Sequence, residues 1–259
     1  MTSPTVVFSL DERGVARVAL NRAQVGNAYN GEMIAALFAA MDELCRRPQL
    51  RLLLLTGAGE HFQAGADLEW LRGVSRDRHE ENVRVSRATA QVVDRLDRLP
   101  VPTLALVQGG CFGGGTGLAA ACDVVIAADN AVFSIAEVRW GLTPAILIPQ
   151  LSDAVSIRQL RRYALTGERF SAAQAQRIGL VHQVVPLEEL AGAGEAIMAR
   201  LLANAPVAMA ETKRLVLEHG RGSLGAHALI ESHARSRQSA EAREGLDAFG
   251  ERRAPIFRR

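Results

Sequence analysis

Hydrophobic and polar positions alternate over the first twenty residues. Val6, Phe8 and Leu10 precede a turn at residues 11–14, and Val15, Ala16, Val18 and Leu20 follow it. A period of two predicts strands, and the turn between them predicts a hairpin. Over residues 31–47 the period changes: Ile34, Leu37, Phe38, Met41 and Leu44 recur every three or four positions, which predicts an amphipathic helix stopped by Pro48. The leucine run at residues 51–56 is short and wholly apolar, as a strand buried on both faces would be. Residues 80–99 place Val85, Ala88, Val92, Leu96 and Leu99 on one side of a second helix, closed by Pro100 and Pro102.

The order of strand, glycine loop, helix and strand then recurs. Residues 103–108 read as a buried strand and 109–117 as a glycine loop; 118–121 begin or continue a helix, 124–127 form another strand, and 133–135 a short one. This alternation predicts an α/β fold with largely parallel pairing. From Ser156 onward strands nearly vanish, apart from residues 181–185. Ser171 reads as the N-cap of a helix ending at Gly179, and Pro206 as the first residue of another. A closing helix over about residues 224–249, alanine-rich and mixed in charge, is expected to pack against another subunit, with a solvated terminal helix as the alternative.

A chain of 259 residues, 48% hydrophobic, can bury one large core or a core with a helical appendage. With a net charge of +2 and arginines scattered among acids, no basic stripe is present to track nucleic acid. Cys45, Cys111 and Cys122 sit in apolar runs and fit neither a disulfide framework nor a metal site, which suits a reducing cytoplasm. Residues 1–10 lack a targeting pattern and no apolar run approaches a bilayer span, so no membrane partner is expected. Lys213, the sole lysine, stands mid-helix between Glu211 and Arg214 and is set aside as a Schiff-base candidate.

Two glycine-bearing loops follow apolar strands, at residues 61–67 (His-Phe-Gln-Ala-Gly-Ala-Asp) and 109–117 (Gly-Gly-Cys-Phe-Gly-Gly-Gly-Thr-Gly). Without a β-carbon, backbone N–H groups at a strand-to-helix turn can approach an anionic atom, and two converging on one oxygen make an oxyanion hole. Either loop alone also reads as a tight turn. A dinucleotide fingerprint cannot be laid on residues 109–117 with all three glycines in register, and no P-loop, Gly-x-Ser-x-Gly elbow or histidine metal spacing is present.

Residues 20–28 (Leu-Asn-Arg-Ala-Gln-Val-Gly-Asn-Ala), the Ala-Gly-Ala-Asp loop at 64–67, Gly113-Gly-Gly followed by Cys122-Asp123, and 133–141 (Phe-Ser-Ile-Ala-Glu-Val-Arg-Trp-Gly) together resemble the enoyl-CoA hydratase/isomerase (crotonase) superfamily. So do Leu165-Thr-Gly, Ala175 to Val181, and Glu244-Gly-Leu-Asp-Ala-Phe with Arg252-Arg253 and Phe257, in family order from about residue 5 to the end. The resemblance implies a spiral of ββα repeats over residues 1–200 and a helical oligomerisation region over 201–259 that builds a homotrimer, often a hexamer. It implies an acyl-CoA thioester substrate, a lyase-type reaction of the kind found in fatty acid metabolism, and no cofactor or metal beyond the coenzyme A that the substrate carries. The backbone N–H groups of Ala66 and Gly114 would hold the thioester oxygen as an enolate. Residues 22–28 and 64–67, here Arg22, Ala28, Ala64 and Asp67, with Gly113, Gly117 and Trp140, would shape the substrate site, and Arg253 of a neighbour would reach the coenzyme A phosphates.

One departure bears on the reaction. Typical hydratases carry glutamate directly after Gly-Gly-Gly-x and again in the Phe-x-x-x-Glu segment; here the first position is Gly117 and the second is Glu137. One carboxylate can move an α-proton beside an enolate, whereas two-carboxylate hydration cannot be assumed. Taken alone, Glu137 also reads as a surface carboxylate beside Arg139. Trp140 and residues 141–149 resemble branches acting on branched, carboxylated or polyketide acyl groups, and Trp140 the hydroxycinnamoyl-CoA hydratase-lyases. An enoyl-CoA hydratase using Glu137 leads; decarboxylation or double-bond isomerisation, and acyl-CoA binding without turnover, stand as alternatives.

Overall fold

The computed structural model describes residues 3–258. Met1, Thr2 and Arg259, at the outer ends of the two expected regions, lie outside the described residues. The hairpin β1 (Val6–Leu10) and β2 (Val15–Leu20) leads to α1 (Gly31–Cys45), β3 (Leu52–Gly57), α2 (Leu68–Val74) and α3 (His79–Asp97). Next come β4 (Thr103–Val107), β5 (Gly110–Phe112), α4 (Gly114–Ala120), β6 (Val124–Ala128) and β7 (Val132–Ser134). They are followed by α5 (Ile148–Ala154), α6 (Ile157–Thr166), β8 (Phe170–Ser171), α7 (Ala172–Arg177) and β9 (Gln183–Val185). The chain closes with α8 (Leu190–Leu202), α9 (Pro206–Gly220), α10 (Ala226–Arg237) and α11 (Ala240–Gly250).

One sheet runs β1-β2-β3-β4-β6-β9, antiparallel only at the opening hairpin; a smaller one runs β5-β7-β8. The leucine run of β3 explains itself in this order. Leu53 and Leu55 face the core that holds Met33, Leu37, Met41 and Leu44 of α1 and Val92, Val93 and Leu96 of α3. Leu52 and Leu54 face a second core closed by Leu190 and Met198 of α8. A strand covered on both faces has no use for alternation. Phe38 departs from the expected apolar stripe: it is half-exposed, with the Arg95 guanidinium 5.8 Å above its ring.

Three boundaries differ from the sequence reading. Helix α4 starts within the glycine run, at Gly114, because Gly113 adopts φ 51° and turns the chain into the helix. The short β8 was not legible, since two residues carry no periodicity. The expected closing helix over 224–249 is two helices, divided where the Ser239 hydroxyl accepts the Ala242 N–H and caps α11.

Helix α9 buries no residue, α10 buries only Ser232 and α11 only Ala248, while Val207, Val216, Ile230, Leu246 and Phe249 stand exposed, Phe249 by 85%. What fastens α9 to the core is polar. The Lys213 ammonium, almost fully buried, donates to Asp123 (2.8 Å) and to the Val101 carbonyl (3.2 Å), and Asp123 in turn accepts the Thr103 N–H (2.7 Å). At the far end of the helix, Arg221 pairs with Asp97 and Asp153. Among the described residues no helix is long and apolar enough to cross a membrane.

Candidate active site

The two glycine-bearing loops lie side by side. Gln63 N–H donates to Gly110 O (3.0 Å) and Phe112 N–H to Gln63 O (2.9 Å), a parallel bridge that carries the first loop along β5. On its other side the first loop pairs with residues 26–29: Ala64 N–H to Gly26 O, Tyr29 N–H to Gly65 O, and Asp67 N–H to Tyr29 O. In that parallel ladder the intervening Ala66 N–H is turned away from its neighbour strand, and it donates to no group among the described residues. Gly114 opens α4, where the first N–H groups lack intrahelical partners, and its N–H is likewise free. These two unpaired N–H groups, on half-buried residues, stand on adjoining loops, as an oxyanion hole requires.

Thr116 fixes the glycine loop from beneath, its hydroxyl shared between Cys111 O (2.8 Å) and Ser134 O (3.0 Å). Asn27, fully buried with φ 58°, braces the other loop through its amide, which donates to the carbonyls of Ala58 and His61. The sequence reading did not single out Asn27; a buried asparagine in left-handed conformation leaves no periodic signal.

Glu137 begins a short 3₁₀ turn (Glu137–Trp140). Its Oε1 is 3.1 Å from the point where a β-carbon on Gly113 would stand, so the carboxylate lies directly against the glycine loop. Oε2 is buried and has no partner, and burial raises the carboxyl above its ordinary pKa. The surface-carboxylate reading therefore fails: Arg139 makes no ion pair with it and packs instead over Gly167. A carboxylate with one buried, unpartnered oxygen and a raised pKa, close to the loop that carries a free N–H group, is the arrangement expected of an acid-base residue at an enolate site.

Gly117, the position of the missing glutamate, is buried, and a β-carbon there would lie 2.5 Å from Leu147 Cδ2 and 2.9 Å from Cδ1. Leucine fills the space a second carboxylate would need. Arg22 is committed within the chain: it donates to the Ala28 carbonyl (2.5 Å) and pairs with Asp67 (2.9 Å), whose other oxygen caps α2 through the Glu69 and Trp70 N–H groups. This clasp joins residues 22–28 to the 64–67 loop, and the arginine holds the Asp67 carboxyl below its ordinary pKa. Trp140 is 65% exposed, and Arg253 is held by Glu244 and Glu251 at the surface. The structure thus gathers Ala66, Gly113, Gly114 and Glu137 into one site, buttressed by Arg22, Ala28, Ala64 and Asp67. An open cleft of about 530 Å³ along α2, lined by Asp67, Trp70, Val74 and Asp77, adjoins the first loop.

Comparison with known proteins identifies the family of the scaffold that carries this site. The chain is 36% identical over 205 residues to the hydroxycinnamoyl-CoA hydratase-lyase of Pseudomonas fluorescens, covering 78% of this chain and 74% of that protein. It is 32% identical over 265 residues to the 1,2-epoxyphenylacetyl-CoA isomerase of Escherichia coli, covering 97% of each. Its fold superposes on the crystal structure of an enoyl-CoA hydratase from Shewanella pealeana with a TM-score of 0.92 at 36% identity, covering 97% of this chain and 95% of that one. The enoyl-CoA hydratase/isomerase family model matches residues 11–259. The family model over nearly the whole chain and these relatives together show that the chain belongs to the enoyl-CoA hydratase/isomerase family.

Proposed function

We propose that this protein is an acyl-CoA thioester enzyme, an enoyl-CoA hydratase that works with a single carboxylate. The pairing of the unengaged Ala66 and Gly114 N–H groups with buried Glu137 carries the reading. Both donors stabilise charge that exists on the thioester oxygen only in the enolate, so they bind the transition state in preference to the substrate. Glu137 moves the proton between the reacting oxygen and the α-carbon. No cofactor is needed beyond the coenzyme A of the substrate. The family relationship and the three free cysteines support a role in cytoplasmic acyl-CoA chemistry of the fatty acid type.

Residues 201–259 form, in this reading, an oligomerisation region separate from the core of residues 1–200. Exposed Val207, Val216, Ile230, Leu246 and Phe249 on helices that bury almost nothing support a homotrimer or hexamer. Arg253 then reaches coenzyme A phosphates only by exchanging its carboxylate partners, and Trp140 meets substrate or a neighbouring subunit. A stable monomer in sedimentation at micromolar concentration would refute this assembly.

A second reading, double-bond isomerisation or decarboxylation, is favoured by Leu147 standing where a water-holding glutamate would be. Turnover of a panel of straight, branched, aromatic and carboxylated acyl-CoAs in ¹⁸O-labelled water separates the two. Hydration places label on C3; isomerisation and decarboxylation incorporate solvent protons without oxygen.

A further inference from the structure

Tyr29 stands at the same site and is accounted for neither by the hole nor by Glu137. Its backbone bridges Ala66, one proposed donor, and its ring lies against Gly114, the other: a β-carbon on Gly114 would fall 2.6 Å from Tyr29 Cε1 and 3.5 Å from Cζ. Trp70 braces the ring edge-on at 5.7 Å. The phenol oxygen makes no hydrogen bond among the described residues, and neither does the buried Glu137 Oε2. The two groups are not bonded to each other; burial first, and the nearby carboxylate second, push the Tyr29 pKa up to about 12. The phenol is therefore a neutral donor at physiological pH, and Glu137 supplies an acceptor. The ring lies against Gly114 and the carboxylate beside Gly113, so a donor and an acceptor flank adjoining residues of one loop, as two holders of a single oxygen atom would.

We propose that Tyr29 is the second holder of the reacting oxygen, its O–H donating to the water that adds to C3 while Glu137 accepts that water's proton. This rests on the hydratase reading above. Tyr29 then does the positioning that the missing glutamate would do, approaching from the 22–29 loop because Leu147 closes the approach from Gly117. The step balances without another reactant. The water oxygen forms the bond to C3, the C2–C3 π pair moves to the thioester as an enolate held by Ala66 and Gly114, and the water proton passes to Glu137. Glu137 then returns that proton to C2, and Tyr29 keeps its own throughout. In reverse, the same phenol steadies the departing hydroxyl.

The test uses the whole protein and two probes. Crotonyl-CoA hydration needs a held oxygen at C3; exchange of the C2 protons of butyryl-CoA with deuterated water needs only the hole and Glu137. Tyr29→Phe removes the donor and keeps the ring over Gly114. It should lower kcat for hydration about ten- to a hundredfold, the loss expected for one hydrogen bond to a charge-bearing transition state, while exchange stays within about threefold of wild type. Glu137→Gln should suppress both. Hydration by Tyr29→Phe within about threefold of wild type would overturn the proposal, and equal loss of hydration and exchange would reduce Tyr29 to a wall of the pocket and overturn it too. Wild-type protein that exchanges butyryl-CoA protons but hydrates no enoyl-CoA would instead overturn the hydratase reading, and the role of Tyr29 with it.

Discussion

Gly117 and Leu147 offer the sharpest test of the packing that distinguishes this site. Adding a β-carbon at Gly117 gains helix propensity worth about 1 kcal/mol, since the residue lies inside α4. The same carbon meets Leu147 at 2.5–3.0 Å in a buried layer, an overpacking that typically costs about 1–3 kcal/mol. Gly117→Ala should therefore leave the protein level with wild type or destabilise it by up to about 2 kcal/mol. Leu147→Ala, at a fully buried position, should cost about 2–5 kcal/mol. In that background the clash is gone, so Gly117→Ala should become stabilising by about 0.5–1 kcal/mol through propensity and cavity filling. The predicted coupling is then about 0.5–3 kcal/mol, as expected of two side chains in direct contact. Urea unfolding of the four proteins at one fixed protomer concentration measures it. If Gly117→Ala shifts stability equally in both backgrounds, Leu147 does not occupy the glutamate's space. The same geometry says that Gly117→Glu alone forces a carboxylate into leucine and loses the fold's stability without gaining activity. Only with Leu147→Ala can the added carboxylate reach water.

Glu137→Gln should lower kcat about a hundred- to ten-thousandfold with coenzyme A binding retained, and a rate within about threefold of wild type would show that another group moves the proton. Because burial raises the Glu137 pKa, the folded state holds that proton more tightly than the unfolded one; stability from this group is present at low pH and lost as pH rises through the raised value. Glu137→Gln should thus unfold at higher urea than wild type at neutral pH and show no such advantage in acid. The Arg22–Asp67 clasp has the opposite sign: Asp67 is depressed below its ordinary value of 3.8, so its contribution is full above that value and disappears as pH falls through the depressed one. Asp67→Asn keeps the α2 cap and loses the ion pair, so it should cost up to about 1 kcal/mol at neutral pH, with the difference vanishing in acid urea titrations. Ala66→Pro, which deletes one hole donor, should reduce turnover about a hundred- to a thousandfold; unchanged kcat in a folded variant would remove Ala66 from the site.

What could be read from the sequence followed from period and punctuation. The opening hairpin, the helix between Asn30 and Pro48, the buried leucine strand and the caps at Ser171 and Pro206 all arise from local rules, and the structure places them as those rules require. The two loops proposed to form the hole were legible because glycine is chosen where backbone must approach another group, and Glu137 was singled out through its family spacing. Tyr29 and Leu147 were not legible. Each matters through a neighbour far away in sequence, Tyr29 through Gly114 and Glu137, Leu147 through Gly117, and an aromatic or a leucine in a loop carries no mark of what it will touch. The ion pair of Arg22 with Asp67 was not legible for a related reason, since the two stand 45 positions apart in the chain.

The burial of Lys213 has a practical side. The sole lysine of the chain has its amine locked under α9 against Asp123 and the Val101 carbonyl. The arginine-rich surface therefore offers no ε-amine to succinimidyl esters, aldehyde fixatives or acetyl donors. Reagents that decorate ordinary proteins at many sites should leave this side chain untouched until α9 lifts from the sheet. The rate at which Lys213 becomes labelled is thus a clock for that opening, readable by mass spectrometry at a single residue.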